Sequence, residues 1–326
     1  MSNPAKKHFS GIDVVRVVAA LGVCLYHYSH AVSPKDSWTH WAFQYGYLGV
    51  QQFFVVAGML VPMSLWRRKY ALSAFGAMVK KRFWRIEPTV WVSIGAFVVM
   101  DIMAVLTGHA HEVKPYSVVG FLLNFTHLNA ILGYEWLRDL YWYLAIDWQF
   151  YLLCCLALPF ISFDNRWARL SVLVVLVAAA FLAPQSIAWL PMYLMPFVVG
   201  ILLFYHFADL QQLPETVIIL AGLLFATYEH SGITHFLSIG LTALIVLFVQ
   251  HNWAWLTHLS NTTYGLYLTH LFSGWTFIST VLWLLPTANV DILVLVGTAL
   301  SLLFAQLWYK KIELPLATWA EKITNQ

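Results

Sequence analysis

Asp13 to His30, DVVRVVAALGVCLYHYSH, is an apolar stretch long enough to enter a bilayer, yet it carries Arg16 and His27. A hydrocarbon core of about 30 Å takes about 20 residues of helix, so the segment reads as a transmembrane span. Ionisable side chains inside a membrane are costly and usually face a protein interior or a watery cavity. Arg16 and His27 are eleven positions apart. At about 100° per residue that is three turns plus roughly 20°, which puts both on one helix face, about 16 Å apart along the axis. Two readings fit: a polar functional face, or a snorkelling arginine and a hydrogen-bonded structural histidine.

The same pattern of apolar runs and sparse charge recurs to the C-terminus. The chain is 60% hydrophobic and 10% charged, against about 25% charged in soluble domains. The expected fold is therefore an all-α polytopic transmembrane helix bundle, a single domain over residues 1–326. About ten spans are expected: Ile12–Ala31, Tyr45–Trp66, Ile86–Leu106, Leu140–Phe160, Leu170–Leu182, Leu190–Phe207, Thr216–Tyr228, Ile233–Gln250, Thr262–Leu284 and Val290–Tyr309. Pro88 falls at the start of the third, where a proline costs little. Ser117 to Leu132 is apolar but short, and reads as an interfacial or re-entrant piece. Basic residues collect in cytoplasmic loops. Lys6, Lys7, the connector from Arg67 to Arg85, Arg166, Arg169, Lys310 and Lys311 then put both termini in the cytoplasm. Of eighteen Lys and Arg, Lys35, Lys114 and Arg138 are left outside.

The net charge is only +3, and no nucleic-acid partner is expected. Cys24, Cys154 and Cys155 all lie in apolar segments and read as small buried hydrophobes. The start MSNPAKKHFSG has no cleavable signal pattern.

Five further motifs are candidates for chemistry. In QQFFVVAGML (Gln51 to Leu60), Gly58 permits close helix approach. In KKRFWRIEP (Lys80 to Pro88), Arg82 and Arg85 are neighbours on one helical face. They fit a positive-inside anchor, and equally a phosphate site, because guanidinium groups bind phosphate by paired hydrogen bonds. In YWYLAIDWQFYLL (Tyr141 to Leu153), Asp147 lies roughly 12 Å from the external end, at a depth that a helical His27 also reaches. A carboxylate there is paired, protonated or open to a cavity, and beside an imidazole it would orient the ring and stabilise the imidazolium. In LSNTTYGLYLTH (Leu259 to His270), Tyr264, Tyr267 and His270 recur at three-residue spacing and make one polar stripe, with His270 roughly 12 Å from the cytoplasmic side. The chain closes on YKKIELP (Tyr309 to Pro315), where Glu313 can pair with the basic connector. His109, His111, Glu112 and His127 lie in the external segment without convincing zinc spacing, so no metal is expected. There is no Walker loop, HExxH or GxSxG.

In order, these motifs resemble those of the acyltransferase-3 family of integral membrane acyltransferases. Arg16-x10-His27 resembles its opening signature. Gln51–Leu60 resembles its FFxxSG segment with Ala57 in the serine place, and Arg82-x-x-Arg85 its RxxR. The Asp147 segment resembles WSLxxExxFY, with Tyr143 for serine and Asp147 for glutamate. The His270 segment resembles LGxxSYxxYLxH with Thr263 for serine, and Glu313-x-Pro315 the family's ending. The resemblance implies transfer of an acyl group, usually acetyl from acetyl-CoA, to a sugar hydroxyl of a cell-surface glycan, polysaccharide or lipid-linked precursor, by a multi-pass protein of the inner (plasma) membrane. On that reading His27, Arg16 and Asp147 are catalytic. Arg82, Arg85, Tyr264, Tyr267 and His270 hold the donor, the bilayer is the standing partner, and a homo-oligomer is compatible. The exposed tryptophans expected at Trp38, Trp41 and Trp136 suit sugar stacking or an interfacial belt. Two other classes remain open. One is a secondary transporter with an Arg/His/Asp pathway. The other is a scaffold without chemistry.

Overall fold

A backbone in hydrocarbon has no water to bond, so apolar runs of this kind must close their hydrogen bonds within themselves, as helices. The computed structural model describes residues 8–108, 117–161 and 163–324, and among these no strand occurs. Lys6, Lys7, His109, His111, Glu112 and Lys114 lie outside the described residues. In chain order the helices are α1 (Ser10–Val32), α2 (Trp38–Phe43), α3 (Gly49–Arg67), α4 (Phe75–Leu106), α5 (Val118–Leu123), α6 (Trp142–Ala157) and α7 (Arg166–Leu182). There follow α8 (Leu194–Phe207), α9 (Leu213–Ser231), α10 (Ile233–Phe248), α11 (Ala254–Thr269), α12 (Gly274–Leu284), α13 (Val290–Trp308) and α14 (Leu314–Thr324). Among the described residues, six segments are long and apolar enough to cross a membrane: Ser10–Val32, Trp38–Arg67, Leu72–Leu106, Asp139–Phe160, Leu190–Phe207 and Val290–Thr324. Ile233–Phe248 and Gly274–Leu284 are shorter apolar helices.

Each expected span falls on helix, with two departures. The ninth, expected as one run from Thr262 to Leu284, is two helices, α11 and α12, separated by a turn at residues 270–273. Ser273 and Gly274 follow His270 there, and such residues favour turns over continued helix. The third begins eleven residues early, at Phe75 instead of Ile86. Lys80, Lys81, Arg82 and Arg85 therefore ride on α4 itself, and Pro88 sits inside the helix. A proline there removes one backbone donor, which a long apolar helix tolerates when neighbouring groups re-satisfy the freed carbonyl.

The chain divides into two compact units. The first comprises residues 1–19, 48–76 and 143–260, and its core is α8, where every residue from Leu194 to Tyr205 is buried. Helix α3 lies directly on α8. A Cβ on Gly58 would collide with the backbone of Phe197, and one on Gly200 with the Val55 carbonyl and the backbone of Gly58. Small residues facing each other let two helices touch backbone to backbone, the main source of attraction between helices in lipid. Phe54, Phe150 and Phe197 pack beside this contact, with Phe150 stacked on Phe197 at 4.0 Å. On α6, Gln149 grips the turn before α8 from both sides, donating to the Ala188 carbonyl (2.8 Å) and accepting from Leu190 N–H (2.9 Å). Cys154 and Cys155 are buried and form no disulfide.

The second unit comprises residues 20–47, 77–142 and 261–326. Helices α12 and α13 pack closely, and a Cβ on Gly274 would meet Gly297, Ser301 and the Tyr28 hydroxyl. The turn after α1 is tied to the head of α13, where the Asp291 carboxylate accepts from the Ser37 and Thr39 hydroxyls. A π-helical turn, Tyr309–Glu313, joins α13 to α14 ahead of Pro315. A wider turn of this kind accommodates a proline within two residues of a helix junction.

The glycine contact gives a paired test. Gly200→Ala should cost about 1–3 kcal/mol by overpacking. Gly222→Ala, in α9 with nothing within 4 Å of the added methyl, should be neutral or gain up to about 1 kcal/mol from helix propensity. Thermal unfolding of the two variants in detergent compares them directly.

Candidate active site

The polar site of the second unit is built where α11 stops. The last four carbonyls of an α-helix have no partner inside it, and in a membrane they must find one. After Thr269 they do. The Thr269 carbonyl accepts from the Ser273 hydroxyl (2.8 Å) and backbone (2.9 Å). The Leu266 and Tyr267 carbonyls accept from His270 Nδ1 at 3.2 and 2.8 Å. The His270 carbonyl accepts from the Tyr28 hydroxyl (2.5 Å), which also bonds Ser301 Oγ at 2.7 Å. Ser301 Oγ accepts in turn from Gly274 N–H at 3.0 Å. Cys24 adds a weaker contact to Thr298 at 4.0 Å.

This framework fixes His270, only 1% exposed, against His27 of α1. The rings stack with centroids 5.0 Å apart and planes 12° apart, and His27 Nδ1 lies 2.8 Å from His270 Nε2. His27 is half-buried, so one ring of the pair is sealed and the other accessible. The expected depth of His270 was set by a helix starting near Thr262. Helix α11 starts at Ala254, which puts His270 about 24 Å along it. His27 lies about 25 Å along α1, and the two side chains meet.

Asp139 opens the short turn Asp139–Tyr141 that heads α6. Arg138 anchors that turn: it pairs with Asp101, donates to the Leu137 carbonyl (2.9 Å) and stacks its guanidinium 5.0 Å over Phe97. Tyr141 holds the other side through Ser93 at 2.8 Å. Asp147 is buried on α6 within the first unit. Arg16 is half-buried on α1, also in the first unit.

The stripe on α11 has a different partner for each residue. The Tyr264 hydroxyl donates to the Ile86 carbonyl at 3.5 Å, one residue past Arg85. The Tyr267 hydroxyl donates to the Leu140 carbonyl, next to Asp139. His270 meets His27. A line of polar side chains about 9 Å long thus runs from the arginine helix to the histidine pair. On α4, Arg85 is exposed and Arg82 half-buried. Glu313 lies against α11, with Oε2 3.5 Å from the place of a Cβ on Gly265.

Two features had no clear signal in the sequence beyond residue type. Glu87, one turn beyond the arginines, is 1% exposed and bonds His127 Nε2 at 3.0 and 3.1 Å. Glu87 stands about 28 Å along α4 from its last residue, Leu106. Its contact with His127 therefore sets the piece from Ser117 to Leu132 back alongside α4. Phe125 lies 6.4 Å from Trp91 on the same face. Asn124 and Asn129, both fully buried, brace the segment: both donate to the Gly120 carbonyl, Asn124 accepts from Leu137 N–H (2.9 Å), and Asn129 also donates to Glu135. His127 adopts φ +59°, the left-handed region, a conformation that costs energy and persists where the surroundings impose it.

The fold and site define an integral membrane protein with an accessible histidine held in a polar interior. The acyltransferase-3 family model, described as an acyltransferase domain, matches residues 9–307, and the chain belongs to that family. No curated protein and no solved structure matches it. Family membership makes it a membrane acyltransferase.

Removing either partner of the Glu87–His127 pair leaves a buried polar group short of a bond, at about 1–3 kcal/mol. His127→Ala and Glu87→Ala should each lower stability in detergent, and the double variant should cost less than their sum. A coupling energy below about 0.3 kcal/mol in that double-mutant cycle would show that the contact contributes nothing.

Proposed function

We propose that the chain moves an acetyl group from cytoplasmic acetyl-CoA to a hydroxyl of a cell-surface or exported polysaccharide, or of its lipid-linked precursor, at the inner membrane. The observation that carries the reading is the His27–His270 pair at the end of a polar line that begins beside Arg85. Arg82 and Arg85 suit the CoA phosphates, since guanidinium groups bind them bidentately. Tyr264 and Tyr267 line the route for the pantetheine arm, whose thioester reaches His27.

His27 then takes the proton of the acceptor hydroxyl as its oxygen attacks the thioester carbonyl. The C–S bond breaks, and the CoA thiolate leaves and recovers the proton from the imidazolium. In the two-step variant His27 first carries the acetyl group, releases CoA, and passes the acetyl to the hydroxyl. In both, the C-terminus of α11, which carries partial negative charge, favours positive charge on the His27 ring.

A glycan acceptor is supported by aromatic surface one turn beyond His27. Tyr26 packs on His30 at 4.2 Å, His30 stacks on His40 at 4.1 Å, and Tyr47 lies 5.4 Å from Tyr26. Trp38 and Trp41 beside them are 52% and 72% exposed. Flat exposed rings of this kind suit the apolar faces of sugars.

The test is transfer of label from acetyl-CoA to a panel of surface glycans by protein in vesicles. His27→Ala should cut transfer about 10²–10⁴-fold while the protein stays folded; near-normal transfer would sink the assignment. Arg85→Ala should raise KM for acetyl-CoA with kcat nearly kept, and a pure kcat loss at saturating donor would remove Arg85 from donor binding.

A further inference from the structure

The partners of His270 decide which nitrogen of His27 reacts. His270 Nδ1 faces two backbone carbonyls, Tyr267 at 2.8 Å and Leu266 at 3.2 Å. A carbonyl oxygen only accepts, so His270 Nδ1 carries a hydrogen. In a neutral imidazole the other nitrogen is then an acceptor, and for His270 that is Nε2. Its neighbour at 2.8 Å is His27 Nδ1, which must donate. His27 is left with Nδ1–H and a lone pair on Nε2.

The reverse arrangement would put the hydrogen between the rings on His270 and make that residue an imidazolium. It would place a charge on the sealed ring, 1% exposed in a membrane interior, where charge is expensive. His27 is the accessible ring. Positive charge formed during the reaction therefore belongs on His27, and the hydrogen bond to His270 survives that protonation unchanged, since Nδ1 donates before and after it.

We propose that His270 is a positioning residue for the transfer: by accepting from His27 Nδ1–H it fixes the His27 tautomer and ring plane, leaving Nε2 as the reacting nitrogen. This rests on His27 being the reacting group. It does with a neutral imidazole what a carboxylate does in a Ser-His-Asp triad, where loss of the correct tautomer costs about 10⁴-fold in kcat. The broken helix is the device that makes it possible. A continuous helix would engage the Tyr267 carbonyl with a backbone N–H four residues on; the stop after Thr269 turns it toward the His270 side chain. His270 moves in this way from a donor contact to a support for the base.

Three measurements test it on the full-length protein in proteoliposomes. Solid-state NMR of ¹⁵N-histidine-labelled protein, with His27 assigned by comparison with His27→Ala, should show His27 as the Nδ1–H tautomer. An Nε2–H tautomer overturns the proposal, and this readout needs no turnover, so it stands apart from the acyltransferase reading. His270→Phe should lower kcat about 10²–10⁴-fold with KM for acetyl-CoA nearly unchanged. A rise in KM with kcat kept would return His270 to donor binding and overturn it. His270→Gln, whose side-chain oxygen can accept from His27 Nδ1–H, should recover at least tenfold of that loss; equal inactivity of His270→Gln in protein that unfolds at the wild-type temperature overturns it. If His27→Ala transfers normally while the tautomer is as expected, it is the acyltransfer role of His27 that fails.

Discussion

A helix that stops inside a membrane frees carbonyls that water cannot reach, and each must be bonded by the protein. The stop after Thr269 is met by Ser273, by the Tyr28 hydroxyl, itself held by Ser301, and by the imidazole of His270. The polar site follows from that single requirement. The groups that satisfy the backbone are the groups that hold His270, and His270 holds His27. A local problem of hydrogen-bond supply is thereby turned into a rigid environment for one histidine ring.

Much of this was legible in the sequence. The Arg16–His27 helix is unbroken, the expected spans fall on helix, and Gly58 does allow close approach. The stripe of Tyr264, Tyr267 and His270 exists, and the short apolar piece after α4 lies back alongside it. What hydropathy could not supply were ends and breaks. A window averaged over the ninth span smooths over four residues of turn, because Leu271 and Phe272 are as apolar as a helix. The early start of α11 is hidden for the opposite reason: Thr257, His258, Ser260 and Asn261 look like loop, yet tertiary packing makes them helical. With that start, His270 lies about 24 Å along its helix instead of about 12 Å.

The acidic residues were the hardest to rank. Asp147 lies deep in an apolar run and so draws attention, whereas Asp139 stands at the head of the same run and resembles an ordinary loop residue. Its turn is anchored by Arg138, Asp101 and Phe97, a long-range arrangement invisible in a linear reading. Glu87 was hidden by its neighbours: between two arginines and a proline it reads as part of a basic connector. Once α4 is seen to begin at Phe75, Glu87 falls on the buried face and needs a partner, which His127 provides.

The contact of α3 with α8 has a consequence for how such a chain can change over generations. When two side chains crowd each other, a larger residue on one side is offset by a smaller one opposite, and lineages drift through such exchanges. Gly58 and Gly200 have no such escape. The atoms in the way are the backbones of Phe197 and Val55, and of Gly58 itself, and backbone has no smaller form. Neither position can move first, and no second substitution rescues the first short of parting the helices along the most deeply buried helix of that unit. The two glycines are frozen together, while the polar residues of the site remain exchangeable for any group that makes the same bonds.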